Sequence, residues 1–266
     1  MKKRTAFIGA ILCLIPIGQP LFLKSSLVFS STAFFVSFHE KVNAELIDTY
    51  VNRGVKKAEQ GDYLGAIDEY NKAIKENQNN SGAYYNRANA KTELNDYTGA
   101  IIDYTKAINL NPRWSPLAYS GRANAKSDQG DYKGAINDFN KSIELYSKDA
   151  ETFYNRGNVK FEIKDYQGAI DDYTKALKIN SKSKNADKFY ANRGFVKKEI
   201  GDFAGAIDDF NMAISINPKD SNNFINRSVA KYQSGNKKGA CNDAMEASLL
   251  GFDASNAIEI FCKKDL

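Results

Sequence analysis

The feature that most constrains this chain is a repeat. The string Gly-Ala-Ile or Gly-Ala-Cys starts at Gly65, Gly99, Gly134, Gly168, Gly205 and Gly239, at successive spacings of 34, 35, 34, 37 and 34. An arginine keeps step at Arg53, Arg87, Arg122, Arg156, Arg193 and Arg227. Two registers that drift together mark six copies of one unit of about 34 residues, filling 47–252. A unit of that size cannot bury its apolar face alone, so neighbours must stack on one another to make a core.

Residues 81–115 show the internal logic. Tyr84, Ala88 and Lys91 lie at i, i+4 and i+7, the spacing of a helical stripe. Asn95 tolerates left-handed backbone, and Asp96 suits a new helix N-cap. Gly61, Gly130, Gly201 and Gly235 fill the Asn95 slot in other units, with Lys164 the exception. Ala100, Ile101, Tyr104, Ala107 and Ile108 then form a second apolar face, ended by Asn111-Pro112. The pattern predicts six pairs of antiparallel helices, over 47–80, 81–115, 116–149, 150–186, 187–220 and 221–252.

Charge and composition narrow the function. Residues 1–44 carry five basic side chains and one acid, which leaves 32 basic and 31 acidic residues in the body. A neutral body lacks the electrostatic footprint of a nucleic-acid binder. The one histidine, His39, precedes the repeats, so the array has no residue for Ser-His-Asp catalysis or a His-ligated metal. We expect no enzyme, no cofactor and no metal site.

The first 44 residues form a separate segment. Lys2-Lys3-Arg4 precedes an apolar run from Thr5 to Leu23, and a second apolar run covers Leu27 to Phe38. Val42-Asn43-Ala44 suits signal-peptidase cleavage after Ala44. The alternative is a retained anchor over residues 5–23, near the ~20 residues needed to span a bilayer. Both readings put the body outside the cytoplasm, in a periplasm or lumen. Any membrane contact is then confined to the N-terminal segment.

The repeat resembles the tetratricopeptide repeat family, in a version like that of bacteria and of cyanobacteria in particular. Counting each unit from Ile47, Ser81, Pro116, Ala150, Asp187 and Ser221, the family's small residue at position 8 is Gly54, Ala88, Ala123, Gly157, Gly194 and Ser228. Its alanine at position 20 is Ala66, Ala100, Ala135, Ala169, Ala206 and Ala240. Its aromatic at position 24 is Tyr70, Tyr104, Phe139, Tyr173 and Phe210, broken by Ala244. The resemblance implies an all-α, right-handed α-solenoid of six helix pairs. It also implies a concave groove lined by positions 2, 5, 6, 9, 12 and 13 of the first helices. There it brings Asn52, Asn86, Asn155, Asn192 and Asn226 (position 6), Asn89, Asn124 and Asn158 (position 9), and Tyr85 and Tyr154 (position 5). Carboxamides donate and accept, so these residues suit the backbone of an extended peptide. Position 5 otherwise lacks the cations of the family's chaperone-tail clamp.

Three features depart from the family or extend it. Position 7 is always Arg and position 11 always Lys, from Lys57 to Lys231, while position 23 is always acidic, from Glu69 to Asp243. We expect an Arg–carboxylate ladder between stacked helices that sets repeat register. Glycine recurs at position 19, early in the second helix, at a cost of roughly 1 kcal/mol each, which suggests close approach of a neighbouring helix. In the longer joints, Trp114 is a candidate turn plug or rim contact, and Lys178, Lys182, Lys184 and Lys188 make a basic loop.

After the sixth pair, Gly251-Phe252-Asp253 reads as a turn, and Ala254, Ala257, Ile258 and Phe261 give residues 253–266 a capping helix over 254–263. Cys241 and Cys262 lie about equally far from that turn. They come level if the helices are antiparallel, as a disulfide or as two buried thiols. The chain therefore reads as a scaffold binding a protein or peptide. The alternatives are an assembly factor of an envelope or thylakoid complex working through its convex face or edges, and an RNA-binding helical repeat.

Overall fold

The computed structural model describes residues 45–111, 115–181 and 185–263. The N-terminal segment, Trp114, Lys182 and Lys184 lie outside the described residues. Contacts divide the chain after Leu46, and the repeats belong to the second unit, Ile47–Leu266.

This unit is an all-α solenoid. Among the described residues there are thirteen helices and no strand. The first repeat pairs α1 (45–59) with α2 (Tyr63–Glu76), and the second pairs α3 (Ser81–Glu93) with α4 (Tyr97–Leu110). Repeat units three to five pair α5 (Ser115–Asp128) with α6 (Tyr132–Leu145), α7 (Ala150–Glu162) with α8 (Tyr166–Asn180), and α9 (Ala186–Glu199) with α10 (Phe203–Ile216). Unit six pairs α11 (Ser221–Gln233) with α12 (Lys237–Leu249), and α13 (Ser255–Phe261) follows. Each helix packs on its neighbours in sequence, and α3, α5 and α7 also touch in succession, as do α9 and α11.

The core is a repeated joint rather than one centre. The alanine at position 20 is fully buried in all six units. The ring at position 24 lies against the small residue at position 8 of the same unit. A Cβ added at Gly157 would stand 2.7 Å from Cε1 of Tyr173, so the ring occupies the space a side chain would need. Burying such a ring contributes on the order of 1.5–3 kcal/mol per unit.

The turns follow the expected chemistry. Asn95 has φ of 60°, and glycines 61, 130, 201 and 235 have φ between 80° and 87°. Lys164 takes the same left-handed backbone at φ 65°, where a side chain costs roughly 1–2 kcal/mol. Asp62, Asp96, Asp131, Asp165, Asp202 and Asn236 then cap the second helices. Each accepts from the position-19 glycine N–H at 2.9–3.0 Å. This corrects the expected role of that glycine. The group it approaches is the capping side chain of its own helix. A Cβ at Gly168 would lie 2.2 Å from Asp165 Oδ2, and from the first helix of the unit Lys160 Nζ reaches the Gly168 carbonyl at 3.4 Å.

The end cap is shorter than expected. Ala254 is its N-cap residue and is buried, while Asp253 accepts from the backbone N–H and hydroxyl of Ser255. Phe261 stacks on Tyr232 of unit six with ring centres 4.5 Å apart. Cys241 and Cys262 form a disulfide, with Cα atoms 4.9 Å apart. Among the described residues, no helix is long and apolar enough to cross a membrane.

Candidate functional site

Two rows of carboxylates run along the array, and only one of them faces the groove. The row at position 23 is structural. In units two to six the arginine grips its own unit's aspartate bidentately, Nη2 to Oδ1 at 2.6–2.7 Å and Nε to Oδ2 at 2.8–2.9 Å. The position-11 lysine reaches the same carboxylate at 2.7–2.9 Å. The expected Arg–carboxylate ladder between stacked helices is present, and each ion pair joins the two helices of one unit.

The inter-unit link is a third bond. The arginine Nη1 donates to position 25 of the preceding second helix. Its acceptors are Asn71, Thr105, Asn140, Thr174 and Asn211, at 2.6–3.0 Å. Each guanidinium also lies 5.2–5.7 Å from the centre of the position-4 ring. Burial pushes the Asp172 carboxyl up, but hydrogen bonds from Arg156 and Lys160 outweigh it and hold it below its usual value. In unit one, Arg53 is exposed and makes no ion pair with Glu69 among the described residues; Lys72 and Lys57 approach Glu69 instead, at 2.8 and 3.6 Å.

The groove lies along the first helices. Three cavities open there, of ≈ 570, ≈ 370 and ≈ 300 Å³. Asn124, Asn155 and Asn158 line the first, Asn158 and Asn192 the second, Asn86 and Asn89 the third. The expected carboxamides divide by their own bonding. Asn89 and Asn158 spend Oδ1 on the hydroxyls of Tyr104 and Tyr173. Asn192 donates to Tyr154 Oη and Asn158 Oδ1, both at 3.0 Å. Asn226 accepts from Lys198 and donates to the Asn222 carbonyl. Asn86, Asn124 and Asn155 have no side-chain bond among the described residues, which leaves both donor and acceptor uncommitted. Asn52 is exposed and lines none of these cavities. Tyr85 and Tyr154 are half-buried and packed on Tyr104 and Tyr173, which makes them wall rather than rim.

Position 13 carries the second acidic row, which the same 34-residue period makes visible: Glu59, Glu93, Asp128, Glu162 and Glu199. All are exposed. Glu59 and Glu93 line the third cavity, Asp128 and Glu162 the first, and Glu162 the second as well. Burial, then nearby Glu59, raises the Tyr70 hydroxyl to about 12. Burial raises the Asp128 carboxyl above its usual range. Among the described residues no group of three or more His, Cys, Asp and Glu could hold a metal ion.

Tetratricopeptide-repeat models match residues 81–113, 150–183 and 187–220, and a TPR-repeat model matches 123–164. No curated protein matches the sequence. Among solved structures, the APC/C hetero-tetramer Cut9–Hcn1 aligns at TM-score 0.67 and 19% identity, over 84% of this chain and 45% of that one. The chain thus spans less than half of that relative. YrrB, described as a TPR protein with an unusual peptide-binding site, aligns at TM-score 0.62 and 23% identity, over 73% and 98%. Pseudomonas aeruginosa PilF aligns at TM-score 0.70 and 15% identity, over 83% and 98%. Identities this low carry the fold alone. With the repeat period, the helix pairs and the family models in agreement, this chain is a tetratricopeptide repeat protein.

Proposed function

We propose that the array is a non-catalytic scaffold that holds an extended segment of a partner protein along its groove. The observation that carries this is the set of uncommitted carboxamides, Asn86, Asn124 and Asn155, lining cavities between first helices. Each can donate to a peptide carbonyl and accept from a peptide N–H, which reads backbone rather than one side chain. The likeness to YrrB contributes the fold, and the groove residues contribute the reading. The test is Asn86→Ala with Asn124→Ala and Asn155→Ala. Partner capture should fall while the melting temperature stays within a few degrees, because none of the three holds another side chain. Unchanged capture removes the groove from the function.

The same reading puts the body in an oxidising compartment outside the cytoplasm, after export by the N-terminal segment. It is supported by the Cys241–Cys262 disulfide, since such bonds persist in oxidising spaces. Thiol labelling of protein taken from cells should find both cysteines blocked. Free thiols at both, in a cytosolic fraction, would overturn it.

A further inference from the structure

We infer that the groove takes a basic partner: an extended segment whose lysine or arginine side chains dock on position-13 carboxylates, each beside a carboxamide of the next unit. This rests on the proposed groove function and names the chemistry of its ligand.

The array contains its own example of the contact. In unit five, position 12 is Lys198. Its Nζ lies 3.2 Å from Glu199 at position 13, 3.2 Å from Oδ1 of Asn226 at position 6 of the next unit, and 4.2 Å from the centre of the Phe195 ring. A carboxylate, a carboxamide oxygen and an aromatic face together hold one ammonium group.

The same acid-and-carboxamide pairing recurs without a cation. Glu59 and Asn86 line one cavity with Tyr63 and Tyr70. Asp128 and Asn155 line another with Tyr132, and Glu162 and Asn192 a third with Phe161, whose other ring, Phe195, already carries Lys198. No lysine or arginine lines any of the three. Glu59, Asp128 and Glu162 have no ion pair or hydrogen bond among the described residues. The ladder occupies Lys57, Arg87, Lys91, Arg122, Lys126, Arg156 and Lys160, so the nearby cations of the first helices are already committed to position 23. An incoming cation therefore supplies the missing member of each set, while its peptide groups meet the free carboxamides.

The experiment uses the full-length chain and three fluorescein-labelled twelve-residue peptides, alternating Ser with Lys, Gln or Glu, read by anisotropy at low and high salt. The Lys peptide should bind tightest, and its affinity should fall as salt shortens the screening length from about 10 Å toward about 3 Å. Glu59→Gln with Asp128→Asn and Glu162→Gln should weaken it about tenfold, three exposed pairs at a few tenths to 1 kcal/mol each. Asp68→Asn with Asp171→Asn and Asp208→Asn changes net charge equally, on exposed second-helix sites, and should leave affinity unchanged. Lys198→Ala vacates the fourth set and should tighten binding about two- to fivefold. Equal loss in both triple variants, or a Lys peptide that binds no better than the Glu peptide, overturns the inference. If the Gln peptide binds as well as the Lys peptide and depends on Asn124 and Asn155, the basic partner falls and the groove stands. If no peptide binds, both fall.

Discussion

Two rows of carboxylates share one period and differ in everything else. The acids at position 23 are 0–6% exposed, and from unit two onward each meets an arginine and a lysine. The acids at position 13 are exposed, and among the described residues only Glu199 has a cation beside it. Ten residues of spacing turn the second row onto the groove and bury the first between helices. A buried carboxylate is tolerated only with its charge matched and its oxygens bonded, so position 23 is bound to its partners by desolvation. An exposed carboxylate carries no such demand and is free to serve a ligand.

Unit one sharpens the contrast from inside the ladder. Among the described residues, no second helix of a preceding unit supplies Arg53 with an acceptor, and it stays exposed. Arg156 has Asn140 from the preceding unit, Phe153 beneath it and Asp172 opposite. The grip is a product of stacking, and its cost of removal should follow. Arg156→Ala leaves Asp172 with Lys160 alone and should cost about 3 kcal/mol, whereas Arg53→Ala should cost less than about 0.5 kcal/mol. Urea unfolding of both variants measures the gap, and equal losses would mean that the carboxylate grip, the third bond and the ring together contribute nothing.

The next effect appears with acid. Asp172 holds its proton less tightly when folded than when unfolded, because its carboxyl is kept below the usual value. The stability this supplies is complete above the unfolded range near pH 4 and is lost as pH falls through the lower folded value. The melting temperature of the parent should therefore drop steeply below about pH 4. Asp172→Asn should flatten that drop. The smallest effect is expected from Glu69→Asp. It shortens the unit-one acid to the ladder's length without supplying a preceding unit, so stability should move by less than about 0.5 kcal/mol. A larger gain would show that side-chain length alone had kept Arg53 out.

Much of this was legible in the residues, for physical reasons. Helix pairs, capping aspartates and left-handed turn residues are local, and a period of about 34 residues repeats each signal six times. The Arg–acid pairing was visible because opposite charges recurred in phase. The half-turn arithmetic around Gly251 also brought Cys241 and Cys262 together. Position 19 misled because a recurring glycine announces a close neighbour without naming it, and the neighbour is the Asp165-type cap. Which asparagines remain free was not legible either. It depends on where the Tyr104 and Tyr173 hydroxyls point, a detail of packing between helices. The position-13 acids were present in the same register, but their freedom emerges only once position 23 is seen to absorb the cations.

The division of labour between the rows is tested most directly by two measurements on two proteins, Asp172→Asn and Glu162→Gln. Urea midpoint and Lys-peptide affinity are read for each. Asp172→Asn should lose about 3 kcal/mol of stability and, under conditions where it is folded, keep its affinity. Glu162→Gln should keep its stability to within about 0.5 kcal/mol and lose affinity. If affinity falls with Asp172→Asn and not with Glu162→Gln, or stability falls equally in both, the two rows do not have separate roles.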